Sequence, residues 1–382
     1  MKCDRLFDII DSQSERYIEV WKQFSLFEIP TSYKAGVDAA GKYITDIASQ
    51  LGFEIQVFEQ ESAGDLRCIC MNSDSDMPPV IFSGHIDTVH PVGSFGSPAV
   101  KIEDGKIYGP GVMDCKGGVV AALAAMHALK EVGFRSHPIK LILQTDEETN
   151  SRQSQKNTIK LMLEQSLGAI AFLNCESIKD NTLVLKRKGI LQFEFTVLGK
   201  AIHSSKCPEG ISAIAEAAHK VLELEKMKSI DGLTCNCGII SGGTAENTVP
   251  EECRFTADIR FSSNDELNAA RKLVYDIAAH SYVGGTCSLV ERSIRPAMEE
   301  TDKNIELLDK INAINVENGL PILTSRMSLG GSDAAYTTEA GIPTVDSIGV
   351  AGDFIHTVRE YGIVSSLNEA TKRLAAIAYY IN

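Results

Sequence analysis

The sequence predicts a two-domain α/β protein, in which an α+β domain is inserted into a larger domain built on a mostly parallel sheet. Strand and helix patterns alternate from the N-terminus to about residue 188, which indicates βα units. Between residues 189 and 298 the order changes to β-α-β-β-α-β, which is typical of a ferredoxin-like unit. The alternation then returns. We therefore predict one domain of residues 1–188 and 299–382 and an inserted domain of residues 189–298.

The first domain opens with a helical stretch and continues as alternating elements. In order they are the helix DAAGKYITDIASQLG, the strands FEIQVFEQ, RCICMN and PVIFSG, the apolar helix GGVVAALAAMHALKEVG, the strand IKLILQT, the helix NTIKLMLEQSLG and the strand AIAFLNC. After the insertion come the helix NIELLDKINAINVENG, the glycine-rich SLGGSDAAY, the strand PTVDSIG and the helix SSLNEATKRLAAIAYYI. Strands separated by helices of this length favour a parallel arrangement.

The inserted domain has four strand patterns and two helical ones. In order they are ILQFEFTVLG, the helix SAIAEAAHKVLELEKM, the strands CNCGIISGG and ECRFTADIRF, the helix DELNAARKLVYDIAAHS and the strand CSLVERSI. This order predicts a single sheet covered by two helices.

Composition narrows the class of protein and of partner. A length of 382 residues suits two separate cores, and 51 acidic against 37 basic residues give a net charge of −14. That charge argues against nucleic acid or an anionic membrane as the partner, so we expect a small molecule or short peptide. The ten cysteines have neither disulfide-framework nor zinc-ribbon spacing. With no leader-like segment and no run of membrane length, we expect a cytoplasmic protein.

Histidine and acidic side chains follow several of the predicted strands. His85 follows VIFSG, Glu147 and Glu148 follow LILQTD, Glu176 follows AFLNC, and His356 lies downstream of PTVDSIGVAGDFI. Because the carboxyl ends of parallel strands line one crevice, we expect these side chains to converge there. Asp114, in GVMDCKGG, begins the long apolar helix, where the helix dipole favours a carboxylate.

Two histidines with several carboxylates form a ligand set that suits zinc, with cobalt or manganese as substitutes. If one carboxylate bridges, five ligands hold two ions about 3.5 Å apart, with room for a hydroxide between them. Adjacent side chains cannot both face one ion, so one of Glu147 and Glu148 would ligate and the other would act as general base. Asp87 is placed to hydrogen-bond the second nitrogen of His85. Each residue alone has an ordinary structural explanation, so this prediction depends on their convergence.

These motifs occur in the order typical of a known family. They are SGHIDTV, GPGVMDCKGG, TDEE, NCES, GKAIHSSKCPEGISAI, GGTAENTVPEECRFTADIR, GGSDAAY and FIHTVREYG. The chain, from about residue 30 onwards, resembles the di-zinc metallopeptidases and deacylases of clan MH. That family includes acetylornithine deacetylase, succinyl-diaminopimelate desuccinylase, aminoacylase and carboxypeptidase G.

The resemblance implies a zinc-peptidase-like catalytic domain and a role for each residue of the cluster. It implies one zinc on His85 and Glu176, a second on Glu148 and His356, Asp114 bridging, Glu147 as base and Asp87 supporting His85. One position departs from the family pattern, because Cys115 stands where the family usually has Asp or a Met-like residue. The peptide bond at this point is typically cis in the family.

The inserted domain resembles the family's lid and dimerisation domain. The resemblance implies that His203 reaches the active site of a partner subunit and stabilises the oxyanion, so we expect a homodimer. It also implies substrate-binding roles for Asn247 and Arg260, and we expect Gly331 and Ser332 of SLGGSDAAY to bind the substrate as well. The guanidinium of Arg260 suits a carboxylate, since its fork binds one through two hydrogen bonds.

We therefore expect a zinc-dependent hydrolase of an amide bond next to a free carboxylate, of the carboxypeptidase or N-acyl-amino-acid deacylase type. The resemblance implies this substrate class because a glutamate at the position of Glu176 accompanies it in the family. A di- or tripeptidase of the same family is the alternative. A catalytically silent metal-binding scaffold is a remote alternative. Such a protein would be expected to lack the base or the bridging ligand, and both residues are present here.

Overall fold

The computed structural model describes residues 3–382, which fold into two compact units. The first unit comprises the described residues up to Leu185 together with Glu300–Met327 and Tyr336–Asn382. The second comprises Lys186–Glu299 and Ser328–Ala335. The chain passes from the first unit to the second at residue 186 and returns after residue 299, close to the boundaries that the sequence predicts. The glycine-rich segment Ser328–Ala335 is the exception, because it belongs to the second unit and not to the first.

The described part of the chain alternates helices and strands. The helices are α1 (Asp4–Ser25), α2 (Lys34–Gln50), α3 (Gly117–Glu131), α4 (Asn157–Gln165), α5 (Ala213–Glu225), α6 (Asn264–Ala279), α7 (Asp302–Glu317), α8 (Ala334–Glu339) and α9 (Val364–Tyr380). The strands are β1 (Glu54–Phe58), β2 (Leu66–Met71), β3 (Val80–His85), β4 (Lys101–Glu103), β5 (Lys106–Tyr108), β6 (Ile139–Gln144), β7 (Ala171–Asn174), β8 (Thr182–Arg187), β9 (Gly189–Leu198), β10 (Thr234–Gly242), β11 (Glu252–Phe261), β12 (Thr286–Arg295), β13 (Thr324–Ser328), β14 (Thr344–Asp346), β15 (Gly352–Asp353) and β16 (Tyr361–Ile363).

Side-chain caps mark where three of the helices begin. Ser212, Ser263 and Thr301 precede α5, α6 and α7, and each accepts a hydrogen bond from the backbone N–H three residues further on. These caps satisfy backbone donors that have no partner within the first turn of a helix.

The first unit is built on an eight-stranded sheet in the order β1-β2-β6-β3-β7-β14-β8-β13. The four central strands, β6, β3, β7 and β14, run parallel to one another. All six residues of β3 and all four of β7 are buried, as expected for strands covered on both faces. The predicted α/β fold with a largely parallel central sheet is confirmed, and its parallel centre sets the carboxyl ends of β6, β3 and β7 side by side.

Helix α3 fills the centre of the first unit. The run Val112–Glu131 is long and apolar enough to span a membrane, so the expectation that no segment reaches that length is wrong. Residues 112–129 of this run are all buried, because α1 and α9 pack on α3. At its start Gly118 touches the end of β7, where an added Cβ would lie 1.9 Å from the carbonyl oxygen of Cys175. This close approach brings the turn before α3 next to the residues that follow β7.

A second, small sheet in the first unit has the order β15-β16-β5-β4. The sequence pattern does not indicate this sheet, since its strands are two or three residues long and β4 is exposed throughout. β15 and β16 form an antiparallel pair whose connecting loop contains His356. His356 was predicted to follow a strand of the main sheet. It lies instead in a hairpin of this small sheet.

The second unit is the predicted β-α-β-β-α-β arrangement. Its sheet has the order β10-β11-β9-β12, and all three strand pairs are antiparallel. Helices α5 and α6 pack on it around a separate apolar core that includes Phe193, Phe195 and Phe255. The ferredoxin-like prediction is confirmed.

The segment Ser328–Ala335 joins the second unit through two arginines. The guanidinium of Arg187 donates to the carbonyl oxygens of Gly330 and Gly331, at 3.2 and 3.4 Å. Gly331 also lies so close to Ile190 and Arg295 that a Cβ there would be 2.8 Å from Cδ of Arg295. These contacts connect residues far apart in the chain, which is why the sequence pattern did not indicate them.

Candidate metal centre

The end of β3 carries the first residues of the site. His85 is the last residue of the strand and is 2% exposed, and its Nδ1 lies 3.0 Å from the carbonyl oxygen of Asp87. The Asp87 carboxylate is further away, with Oδ1 at 3.5 Å from Nδ1. The support predicted for His85 thus comes more from the main chain of Asp87 than from its side chain. In either case the second nitrogen of the imidazole, Nε2, faces the other members of the site.

The buried carboxylate of Asp87 instead organises its surroundings. It accepts hydrogen bonds from the backbone N–H groups of Glu147 and Glu148, at 3.3 and 3.2 Å. It also accepts from the hydroxyl of Thr31 at 2.7 Å. These contacts fix the short 3-10 turn Glu147–Thr149, which follows β6, against the end of the neighbouring strand β3.

Asp114 lies in an irregular turn, Val112–Lys116, directly before α3. The Asp114–Cys115 peptide bond is cis, in agreement with the family resemblance. The turn is held from two sides, because the indole N–H of Trp21 donates to the carbonyl oxygen of Val112 at 2.8 Å. The fully buried ammonium of Lys116 donates to the carbonyl oxygens of Phe27 and Pro110 at 2.7 and 2.9 Å.

The two carboxylate oxygens of Asp114 face two different groups. Oδ1 lies 3.0 Å from Nε2 of His85, and the same nitrogen is 3.6 Å from Oε1 of Glu176. Oδ2 lies 3.2 Å from Nε2 of His356, which is also 3.2 Å from Oε2 of Glu148. The structure therefore brings all five predicted ligands together, in two groups that share one carboxylate.

This donor set fits two divalent cations. Each group offers an imidazole nitrogen and a carboxylate, and Asp114 offers one oxygen to each group, as a bridging ligand does. Ligand atoms of His85, Asp114 and Glu148 lie within 4.8 Å of one another. Imidazole and carboxylate ligands suit borderline metal ions such as zinc. In the pair of glutamates it is Glu148 whose oxygen approaches His356, which agrees with Glu148 as ligand and leaves Glu147 for another role.

Burial and neighbouring charges shift the pKa values of the predicted metal ligands. Burial raises the pKa of Glu148 to about 8 and also raises the pKa of Glu176, and the charge of Asp114 adds to both shifts. Hydrogen bonds to Asp114 and Glu148 raise the pKa of His356 to about 11. These shifts favour the protonated forms of Glu148, Glu176 and His356. Metal ions would displace these protons, since histidine and carboxylate ligands bind in their deprotonated forms.

The thiol of Cys115 lies against the main chain of His85. It accepts a hydrogen bond from the backbone N–H of His85 at 3.1 Å and donates to the carbonyl oxygen of His85 at 3.3 Å. Burial raises the pKa of Cys115 to about 12, which keeps the thiol protonated. Cys115 thus joins the turn of Asp114 to the end of β3.

In the second unit the structure brings His203 and Asn247 together. The backbone N–H of Ser204 donates to the carbonyl oxygen of Asn247 at 2.8 Å, and His203 forms a bridge with Thr248. The imidazole of His203 is exposed, and its Nδ1 accepts a hydrogen bond from the backbone N–H of Ser205 at 3.2 Å. This contact puts the ring proton on Nε2.

Arg260 lies in the same unit but is already paired. Its Nε and Nη2 contact the carboxylate of Asp258 at 2.7 and 3.4 Å. Across the sheet Arg260 stands opposite Ile190, which in turn stands opposite Arg295. Gly331 packs on Ile190 and Arg295, so the glycine-rich segment lies close to this row of residues. Ser332 is buried in the same segment.

Three residues that hold predicted site residues or their segments in place were not themselves predicted. Glu360 bonds the turn that carries Asp114, Arg187 holds the glycine-rich segment, and Thr31 bonds Asp87. Glu360 occurs four residues after His356 in HTVRE, a spacing that could have suggested a shared turn. No local pattern indicates the other two, since their partners are distant in the chain.

Comparison with known proteins is consistent across sequence and fold. Residues 81–380, which include all five members of the two ligand groups, match the profile of peptidase family M20/M25/M40. Carboxypeptidase G2 from Pseudomonas sp. (strain RS-16) is 28% identical over 372 residues, covering 95% of this chain and 88% of that protein. Succinyl-diaminopimelate desuccinylase from Rickettsia rickettsii (strain Sheila Smith) is 23% identical over 354 residues, covering 87% and 92%.

A solved structure supports the fold. Aminopeptidase PepT from Bacillus cereus superposes with a TM-score of 0.77 at 22% identity, covering 96% of this chain and 98% of that one. At this identity the likeness concerns the fold and not the reaction.

Proposed function

Because the chain belongs to peptidase family M20/M25/M40 and is a metal-dependent hydrolase, we propose that it cleaves an amide bond next to a free carboxylate. The substrate class is a small N-acyl amino acid or a short peptide with a free C-terminus. The names of the two sequence relatives described above, a carboxypeptidase and a desuccinylase, agree with this proposal.

One observation carries the proposal of a dinuclear zinc site. The carboxylate of Asp114 faces His85 with one oxygen and His356 with the other, at 3.0 and 3.2 Å. A carboxylate between two imidazoles, each with a further carboxylate beside it, is arranged to bridge two ions. The mixed nitrogen and oxygen ligands favour zinc, with cobalt or manganese as substitutes. Bound zinc would polarise the scissile carbonyl and lower the pKa of a water molecule to about 7.

The chain's own residues supply the proton transfers and the orientation. Glu147 takes a proton from the attacking water and passes it to the leaving amine, as a general base and then a general acid. Its neighbour Glu148 acts as a ligand. Asp87 holds Glu147 and Glu148 in place by accepting hydrogen bonds from their backbone N–H groups. One buried carboxylate thus sets the geometry of base and ligand together.

We assign oxyanion stabilisation to His203, acting on the site of a second copy of the chain. Its exposed imidazole carries its proton on Nε2, so it can donate to a developing negative charge. Exposed apolar side chains of the second unit support a homodimer. Edge strand β10 exposes Ile239 and Ile240 by 67% and 55%, and α5 exposes Leu222 by 63%. Apolar side chains at an unpaired strand edge suit pairing with a second copy.

We further propose a cytoplasmic location. All ten cysteines are free thiols, of which seven are buried, two are partly buried and one, Cys207, is exposed. Reduced thiols agree with a reducing compartment.

A di- or tripeptidase is the second candidate. The observation that favours it is the pairing of Arg260 with Asp258, which occupies one side of the guanidinium that the carboxylate proposal assigns to the substrate. The two candidates differ in what they recognise, a free carboxylate or a free amine.

The first prediction concerns the substrate carboxylate. N-acyl amino acids should be cleaved with a lower KM than the same compounds with the carboxylate amidated. Arg260→Lys should raise the KM for the free acids alone, because lysine keeps the charge but loses the fork. Asp258→Asn is the matched control, since it breaks the ion pair and keeps Arg260. Equal rates on acid and amide in the wild type would favour the peptidase alternative.

The second prediction separates the adjacent glutamates. Glu147→Gln should lower kcat by roughly 10²- to 10⁴-fold, the range for loss of a general base, while metal content stays as in the wild type. Glu148→Gln should instead lower metal content, since Glu148 lies beside His356. Elemental analysis and steady-state rates measured on the same preparations check both. Exchanged phenotypes would mean that the two roles are reversed.

The third prediction concerns action between subunits. His203→Ala should lower kcat by about 10²- to 10³-fold with metal content unchanged, as expected for one lost oxyanion donor. Mixing this variant with Glu147→Gln under subunit exchange gives mixed dimers in which one site has both groups intact. Up to about a quarter of wild-type activity should then return. If exchanged dimers recover no activity, His203 does not act on the partner's site.

A further inference from the structure

A buried carboxylate connects the two loops that carry Asp114 and His356. Glu360 is 1% exposed and accepts three backbone hydrogen bonds from the turn of Asp114. Its Oε1 accepts from the N–H groups of Met113 and Asp114, at 2.8 and 3.1 Å, and its Oε2 accepts from Gly111 at 3.2 Å. The three donors lie within the four residues from Gly111 to Asp114, so a single side chain orients the backbone that leads into the turn of Asp114.

The other end of Glu360 belongs to the loop of His356. Its backbone N–H donates to Thr357 at 3.0 Å, and its carbonyl oxygen accepts from Gly109 at 3.4 Å. After Glu360 the chain enters β16, which pairs with β5. The side chain therefore ties the hairpin loop that carries one ligand to the turn that carries the bridging ligand.

The five ligands differ in how firmly the fold holds them. His85 ends a fully buried central strand, and Glu176 follows another two residues after its end. His356 instead lies on a loop with a positive φ of 59°, and its side chain is 52% exposed. A positive φ is unfavourable for a residue with a Cβ, so the conformation depends on contacts around it. Glu360, four residues further on, supplies the buried contact of this loop.

We propose that Glu360 is a positioning residue, which sets the separation of Asp114 and His356 and thereby the affinity for the ion on the His356–Glu148 side. The inference rests on the proposed dinuclear site and adds to it an asymmetry between the two ions. Loss of Glu360 leaves His85 and Glu176 on their strands but releases the loop of His356 from the turn of Asp114. The ion on the His356–Glu148 side should then weaken more than the other.

The experiment is a stepwise zinc titration of the metal-free full-length protein against a competing chromophoric chelator. Glu360→Ala should raise the dissociation constant of one step by about 10- to 100-fold, the range for residues that orient metal ligands. The affected step should be the one that His356→Ala removes. Glu360→Gln should weaken it less, because an amide oxygen in the place of Oε1 keeps two of the three hydrogen bonds.

Glu216→Ala is the matched control. Glu216 is also fully buried and also accepts backbone hydrogen bonds, from Tyr282 and Val283, but it lies in the second unit. Its loss should lower the thermal midpoint of the chelated protein without changing either zinc step. A purely structural role for Glu360 predicts the same result for Glu360→Ala.

The outcomes separate this inference from the proposal beneath it. Two zinc steps in the wild type, with the His356 step selectively weakened in Glu360→Ala, support both. Two steps of wild-type affinity in the variant, or an equal loss in both steps, would overturn the role of Glu360 alone. A wild-type chain that binds no zinc would instead overturn the dinuclear site. Should Glu360→Ala not fold, Glu360→Gln decides, since wild-type affinities in that variant also overturn the inference.

Discussion

The site depends on one constraint, namely that the carboxylate of Asp114 stands between two imidazoles. Its oxygens lie 3.0 Å from His85 and 3.2 Å from His356, although these residues come from different sheets. The turn of Asp114 must therefore be held against both. Contacts from α1, α3 and the β15–β16 hairpin do this, through Trp21, Gly118 and Glu360. All of these contacts lie at or directly before the start of the buried helix α3.

The charges explain why such a site needs cations. Three carboxylates and two imidazoles meet in a place where burial raises the pKa of Glu148 to about 8 and disfavours ionised Glu176. A cluster of buried acids is costly unless positive charge compensates it. Two divalent ions would supply that charge and release the bound protons. His85, Asp114, Glu148, Glu176 and His356 would hold these ions, which would supply the Lewis-acid chemistry for amide hydrolysis.

The sequence predicts the part of the site that follows from regular structure. His85, the Glu147–Glu148 pair and Glu176 come after strands of a parallel sheet, and such ends necessarily meet. His356 was expected at the same edge, but it lies on a hairpin whose strands are too short to give a periodic pattern. The contacts of Glu360 and Arg187, and the pairing of Arg260 with Asp258, depend on tertiary packing that local patterns do not encode. The resemblance of ordered motifs identified residues such as His203 that no local pattern would have singled out.

The central claim is that Asp114 bridges two metal ions, and the metal content of the reconstituted chain tests it most directly. Elemental analysis after loading with zinc and removal of the excess should give about two ions per wild-type chain. Asp114→Asn should retain less than one, because both ions lose a shared ligand, and circular dichroism should show that its fold persists. The account would be contradicted by a wild-type chain that retains no metal, or by an Asp114→Asn chain that retains two ions with wild-type affinity.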